Sequence, residues 1–175
     1  MAPGVSLKKG KKRDLIGKDY SKSKVVPPAK FISDNDYSGN FKIFLDDKED
    51  NQPFFFWVGG LEPHRRYEYK AGIKFGGKKI EQIEKVPKYW PNSDNIKTDI
   101  LDYAFEIEYF DSHLVRILNE LEKRNLLENT IIVVTSDNGM PFPRVKGQVF
   151  PYDNRLPLAI RWRSEEHTSE LQSPV

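Results

Sequence analysis

Apolar residues at Ile100, Ala104, Ile107, Phe110, Leu114, Ile117, Leu118 and Leu121 recur every three or four positions, which predicts an amphipathic helix from Ile96 to Arg124. Ser93 or Asp94 can cap its start, and Asn125, a residue that tolerates the left-handed conformation, marks its end. A weaker signal of the same period, at Tyr37, Phe41, Phe44 and Leu45, predicts a short helix within residues 34–45. Two apolar runs are continuous instead of periodic. Phe54 to Val58 (FFFWV) and the β-branched stretch Thr130 to Thr135 (TIIVVT) both read as strands buried on both faces. Strand, long connection, helix and strand make a βαβ crossover, so the expected class is α/β with a parallel or mixed sheet flanked by helices.

Residues 70–95, rich in Gly, Lys and Pro, predict a long excursion over the surface. The first 30 residues show no apolar period and hold eight Lys and one Arg against two Asp, a local excess of +7 in a chain of 175 residues and net charge +2. That excess has no aromatic interleaving, so a solvated, flexible segment explains it better than nucleic-acid binding. Residues 31–162 are then the folded domain. With 13% aromatic residues the chain has the bulk for a core, and no apolar run approaches the about 20 residues of a membrane span. The absence of cysteine excludes disulfides, thiolate metal sites and a cysteine nucleophile.

Candidate chemistry follows each apolar run. The second run ends on Ser136, Asp137, Asn138 and Gly139, and the carboxyl end of a parallel strand is where open α/β sheets place ligands. Asp137 and Asn138 offer hard oxygen donors suited to Ca²⁺ or Mg²⁺, although a D-N-G tripeptide alone is more often a turn. Lys146 lies farther along a loop stiffened by Pro141 and Pro143, where its ammonium can meet an anion. After the first run, LEPHRRYEY places His64, Arg65 and Arg66 together, a set suited to anion recognition. The acidic face of the long helix (Asp102, Glu106, Glu108, Asp111, Glu120, Glu122) is expected to be solvated, and His113 to be a hydrogen-bonded boundary histidine.

Three segments, PFFFWVGGLEPHRRYE, LDYAFEIEYFDSHLVRILNELEKRNLLENT and IIVVTSDNGMPFPRVKGQVFPYDNRLPLAIRW, together resemble the sulfatase family of the alkaline-phosphatase superfamily, and SDNGMPFP looks most like its sulfamidase branch. The resemblance implies part of an alkaline-phosphatase-like sheet, with Asp137 and Asn138 ligating a divalent cation, normally Ca²⁺. It implies that His64 and Lys146 act on the sulfate group, and that Arg65, Arg144 and Arg155 bind substrate, with Arg155 and Pro157 forming an R-x-P element. A sulfated carbohydrate is the implied substrate, and the periplasm, the cell exterior or the lysosome the implied location; oligomeric state is not legible.

The family's nucleophile is a formylglycine made in a C/S-x-P-x-R motif, which these 175 residues do not contain. The proline that commonly stands two residues after the P-H histidine is Arg66 here, and Asp46-Asp47 lies in the wrong context for the family's paired metal aspartates. The expectation is therefore an inactive part of a sulfatase domain. Residues 163–175, which lose all hydrophobic pattern and resemble the translation of a sequencing adapter, are set apart together with His167. Two other readings stand beside this one: a phosphodiesterase or phosphonate hydrolase of the same superfamily, disfavoured by the scarcity of histidine, and a non-catalytic anion-binding domain.

Overall fold

A computed structural model describes residues 17–162 together with the backbone of two short strands, β1 (Val5–Lys8) and β2 (Lys11–Asp14). The tail from Arg163 onward, His167 included, and most of the basic segment lie outside the described residues. β1 and β2 pair as an antiparallel hairpin, Val5 opposite Asp14. Within residues 20–30, Tyr20 meets the edge of Phe44, and Ala29 is buried with Ile32, Ala71 and Phe105.

Helix α1 (Tyr37–Asp47) starts where Asp36 accepts hydrogen bonds from the Gly39 N–H and the Ser38 hydroxyl, each at 3.0 Å. A single turn, α2 (Ala71–Lys74), lies within the predicted excursion. α3 (Asp94–Lys123) is the long helix the periodicity predicts, with Ser93 as its cap and Asn125 left-handed at φ 55° just past its end. Gly72 makes the α2 to α3 approach possible, because a Cβ there would stand 2.3 Å from the Leu101 carbonyl oxygen.

β3 (Ile132–Thr135) forms inside the predicted second strand. Its partner is β4 (Leu158–Arg161), reached through the turn-rich site loop and the single turn α4 (Pro151–Asn154). The pairing is antiparallel, with Ile132 opposite Arg161 and Thr135 opposite Leu158. The expected parallel crossover from Phe54–Val58 is therefore not formed among the described residues. Phe54–Val58 keeps the alternating exposure of a strand, with Phe54, Phe56 and Val58 turned to the core, but among the described residues no neighbour completes a ladder.

Two expectations about α3 are corrected by burial. Asp102 and Glu106 are only 2% and 3% exposed, not solvated. Asp102 accepts the Lys70 and Gly72 N–H groups at 2.9 and 2.8 Å, satisfying the start of α2. Burial, and then the charges of Glu62 and Asp102, push the Glu106 carboxyl up to about 8. His113 is fully buried between the rings of Tyr37 and Tyr109, well inside the boundary expected for it. The period that marks α3 cannot separate such residues from solvated ones, because their positions border the apolar stripe and are covered by residues far away in sequence, Lys70 and Gly72 at Asp102 and Tyr37 at His113.

The pH dependence of Glu106 follows from its shift. A carboxyl raised in the folded state binds a proton there that the unfolded chain has released, so stability falls as pH rises from about 4.5 toward about 8 and then levels. Thermal melts of the chain across that range are expected to show this decline, and Glu106→Gln to remove most of it while raising the melting temperature at pH 8.

Candidate functional site

The predicted site residues lie on two loops. The first follows Phe54–Val58: the His64 N–H donates to the Leu61 carbonyl at 2.9 Å, closing a turn that leaves the imidazole exposed. His64 Nδ1 stands 2.5 Å from the Arg65 carbonyl oxygen, so Nδ1 carries a hydrogen and donates it there. Nε2 is the ring nitrogen left outside that bond.

The second loop runs from Ser136 to Phe150 and owes its shape to burial. Val145 is fully buried and Phe142 nearly so, packed with Trp90. Trp90 donates its indole N–H to the Pro143 carbonyl at 2.8 Å, so part of the predicted surface excursion clamps the loop from beneath. Gly139 is required by close approach, since a Cβ there would lie 2.2 Å from the Tyr152 carbonyl oxygen. Arg144 is left-handed at φ 66° and extends its guanidinium over Tyr89 and Phe150. Ring burial therefore fixes the backbone that presents Lys146, which is itself exposed.

Arg65 joins the two loops. Its Nε donates to the Pro141 carbonyl at 3.1 Å, and its two terminal nitrogens form a bidentate pair with Asp99 on α3. Its plane also lies over the rings of Tyr67 and Phe142, at 5.1 and 5.0 Å. Arg65 is expected from the resemblance to bind substrate; here its guanidinium is held between Asp99 and the Pro141 carbonyl, bridging the two loops. A guanidinium after a P-H pair reads as an anion binder until the location of its carboxylate, 34 positions away, is known.

Asp137 is exposed, and the Asn138 amide nitrogen donates to the Gly139 carbonyl at 2.8 Å, which leaves its oxygen for another partner. These donors suit a hard cation in kind but not in number, and no group of three His, Asp or Glu converges to hold a metal among the described residues. Asp153, passed over in the sequence, lies against this loop. Its carbonyl accepts the Gly139 N–H at 3.1 Å and its Oδ2 the Gln148 N–H at 3.2 Å, while its buried Oδ1 has no partner. Arg155 is exposed on the turn after α4. Among the described residues no hydrogen bond or ion pair links any two of His64, Asp137, Lys146 and Arg155. Asp46 and Asp47, not assigned to metal, pair with Arg124 and Lys18.

Residues 8–173 match the sulfatase family model. The chain belongs to the sulfatase family. The match also covers most of the basic segment and of the terminal segment that the sequence reading set apart. Among curated relatives, an ulvan-active sulfatase of Formosa agariphila is 35% identical over 89 residues, 50% of this chain and 15% of that protein. N-sulphoglucosamine sulphohydrolase of Homo sapiens is 26% identical over 138 residues, covering 68% of this chain and 27% of the relative. N-acetylglucosamine-6-sulfatase of Capra hircus is 28% identical over 141 residues, 67% of this chain and 25% of that protein. The chain thus spans about a quarter or less of the length of these sulfatases. Family membership implies an alkaline-phosphatase-like α/β fold, of which the helices and the β3–β4 pair described above are a part.

The Arg65 bridge can be measured on this sulfatase chain. A double-mutant cycle of Arg65→Ala and Asp99→Asn, followed by urea denaturation, is expected to give a coupling of about 0.5–1 kcal/mol for a partly exposed bidentate pair. Gly139→Ala is expected to cost about 1–3 kcal/mol through overpacking against Tyr152.

Proposed function

We propose that these residues supply the cation side and the anion side of a sulfatase site that hydrolyses a sulfate ester or sulfamate on a sulfated sugar. The observation that carries this reading is the joining of the His64 loop to the Asp137–Lys146 loop by Arg65, within a chain of the sulfatase family. The relatives named for ulvan, N-sulphoglucosamine and N-acetylglucosamine-6-sulfate chemistry support sugar as the substrate class.

Each residue has a task the reaction needs. Hydrolysis breaks the bond between sulfur and the bridging oxygen or nitrogen, water supplies the oxygen that sulfur gains, and the leaving atom takes up a proton. Lys146 pairs with the non-bridging oxygens, whose negative charge persists through the transition state. His64, with Nδ1 held by the Arg65 carbonyl, donates from Nε2 to the leaving atom when the ring is cationic. Arg144 and Arg155 border the same loop and meet further anionic groups of the sugar. Asp137 and Asn138 would hold a hard cation, Ca²⁺ or Mg²⁺, with ligands from outside the described residues, and that ion would withdraw charge from the sulfate oxygens. No cysteine and no Ser-x-Pro-x-Arg is present to become a formylglycine, so the nucleophile comes from elsewhere in the sulfatase domain and the 175 residues alone do not turn over sulfate esters.

In the longer sulfatase, His64→Ala is expected to lower kcat on a sugar sulfate by about 10²–10⁴-fold, and much less on a nitrophenyl sulfate, whose leaving oxygen needs no proton. Equal losses on both substrates would remove the proton-donor role. Lys146→Ala is expected to raise KM on both, and Asp137→Ala to abolish the stimulation of turnover by added Ca²⁺.

A further inference from the structure

Arg65 shows what a guanidinium supported by rings does in this chain: it lies over Tyr67 and Phe142 and gives its N–H fork to the Asp99 carboxylate. Arg66, the next residue, repeats half of that construction. Its guanidinium lies over the Phe31 ring, 5.2 Å from the ring centre, and the side chain is exposed. No carboxylate pairs with it among the described residues. A guanidinium that rests on a ring keeps its in-plane N–H donors for an oxygen anion, and here that anion is not part of the described fold.

The support beneath Arg66 is fixed from the same loop. The Lys30 N–H donates to the Glu68 carboxylate at 2.9 Å and the Ser33 N–H to the Glu62 carboxylate at 2.7 Å, so the backbone on both sides of Phe31 is tied to residues that flank His64 and Arg66. Ala29 and Ile32 are buried, whereas Phe31 between them is 51% exposed and left-handed at φ 73°. That conformation is costly for a bulky residue, and a half-exposed ring recovers little of the cost by burial. A strained backbone that presents a ring outward points to a contact made outside the core. Only Arg65 separates Arg66 from His64, so their Cα atoms lie within about 7 Å. His64 and Arg66 are both exposed, while the Arg65 guanidinium is turned to Asp99 and Pro141.

We infer that Arg66, seated on Phe31, binds a second anionic group, a carboxylate or a further sulfate, on the sugar from which sulfate is removed. In the function proposed above, His64 meets the leaving atom and Lys146, on the other loop, meets the sulfate oxygens. An anion held two residues from His64 therefore belongs to the leaving sugar and not to the transferred group. Arg66 selects doubly anionic sugars and takes no part in bond breaking. The inference rests on that reading of the site, and its test lets each fail alone.

The test is titration of the ¹⁵N-labelled chain, followed by NMR at the arginine Nε–H groups, with three sugars. They are a monosaccharide with one sulfate, the same sugar with a second sulfate, and the same sugar with its hydroxymethyl group oxidised to a carboxylate. At least one doubly anionic sugar is expected to bind about 10-fold more tightly than the first and to shift the Arg66 Nε–H; which one gains identifies the anion. Arg66→Gln is expected to bring its affinity down to that of the singly sulfated sugar. Phe31→Gly, which adopts the same φ without strain and removes the ring, is expected to take away part of the preference. Lys123→Ala, which removes an exposed cation at the last position of α3, is expected to leave the preference intact. The inference is overturned if neither second anion tightens binding, if the preference survives Arg66→Gln or survives Phe31→Gly in full, or if Lys123→Ala removes it equally. The sulfatase-site reading fails separately, when Lys146→Ala leaves the affinity for the singly sulfated sugar unchanged.

Discussion

Burial of one face of α3 is the constraint on which the described structure depends. Three clusters of side chains are strung along this helix. Near its start Ile96, Ile100 and Tyr103 pack with Trp90, Phe142 and Val145; in the middle Phe105 and Tyr109 pack with Ala29, Ile32 and Ala71; toward its end Ile117 and Leu121 pack with Phe41, Leu45 and Phe56. Each cluster anchors a different part of the chain: the site loop, the segment before α1, and α1 with the two extended segments. The helix therefore acts as a ruler that places the two site loops at one end and the unpaired strands along its side. Removal of apolar surface from water drives all three contacts.

The same helix buries polar groups, and these set geometry more than they add stability. Asp102 receives two backbone N–H groups at the start of α2, and Glu62 receives the Ser33 N–H and the Tyr37 hydroxyl at 2.7 and 2.8 Å. Each bond ties a loop to a helix at one orientation, since a buried carboxylate is costly unless its acceptors are used. Glu106 escapes that cost by holding a proton. Asp36 shows the opposite balance: burial pushes its carboxyl up, but hydrogen bonds from Gly39 and Ser38, with the Arg116 charge, outweigh it and hold the group below the usual range.

In the two candidate site loops, residues held by bonds or burial stand beside exposed ones. The Arg65 guanidinium is held by Asp99 and Pro141, whereas the His64 imidazole beside it is oriented by the Arg65 carbonyl and is exposed. Val145 is buried, whereas Lys146 next to it is exposed. Each of these exposed side chains is thus flanked by one that fixes the backbone it stands on.

Much of this was legible in the residues themselves. The period of α3, its cap at Ser93, the left-handed Asn125, the β-branched run that becomes β3 and the motifs around His64 and Asp137 are local signals, because helix period, capping and turn chemistry act within a few positions. Pairing and burial are not local. The antiparallel partner of β3, the missing ladder of Phe54–Val58, the inward turn of Asp102, Glu106 and His113, and the capture of Arg65 by Asp99 depend on residues brought together from afar. The same Arg in the same motif can be a ligand or a strut, and only the position of its carboxylate decides. Sequence alone determined where α3 lies, that residues near α1 and β3 are helical and extended, and which side chains each loop carries. Tertiary structure decided which strand edges stay open and which charges face inward, because hydrogen-bond partners and exclusion of water are properties of the assembled fold.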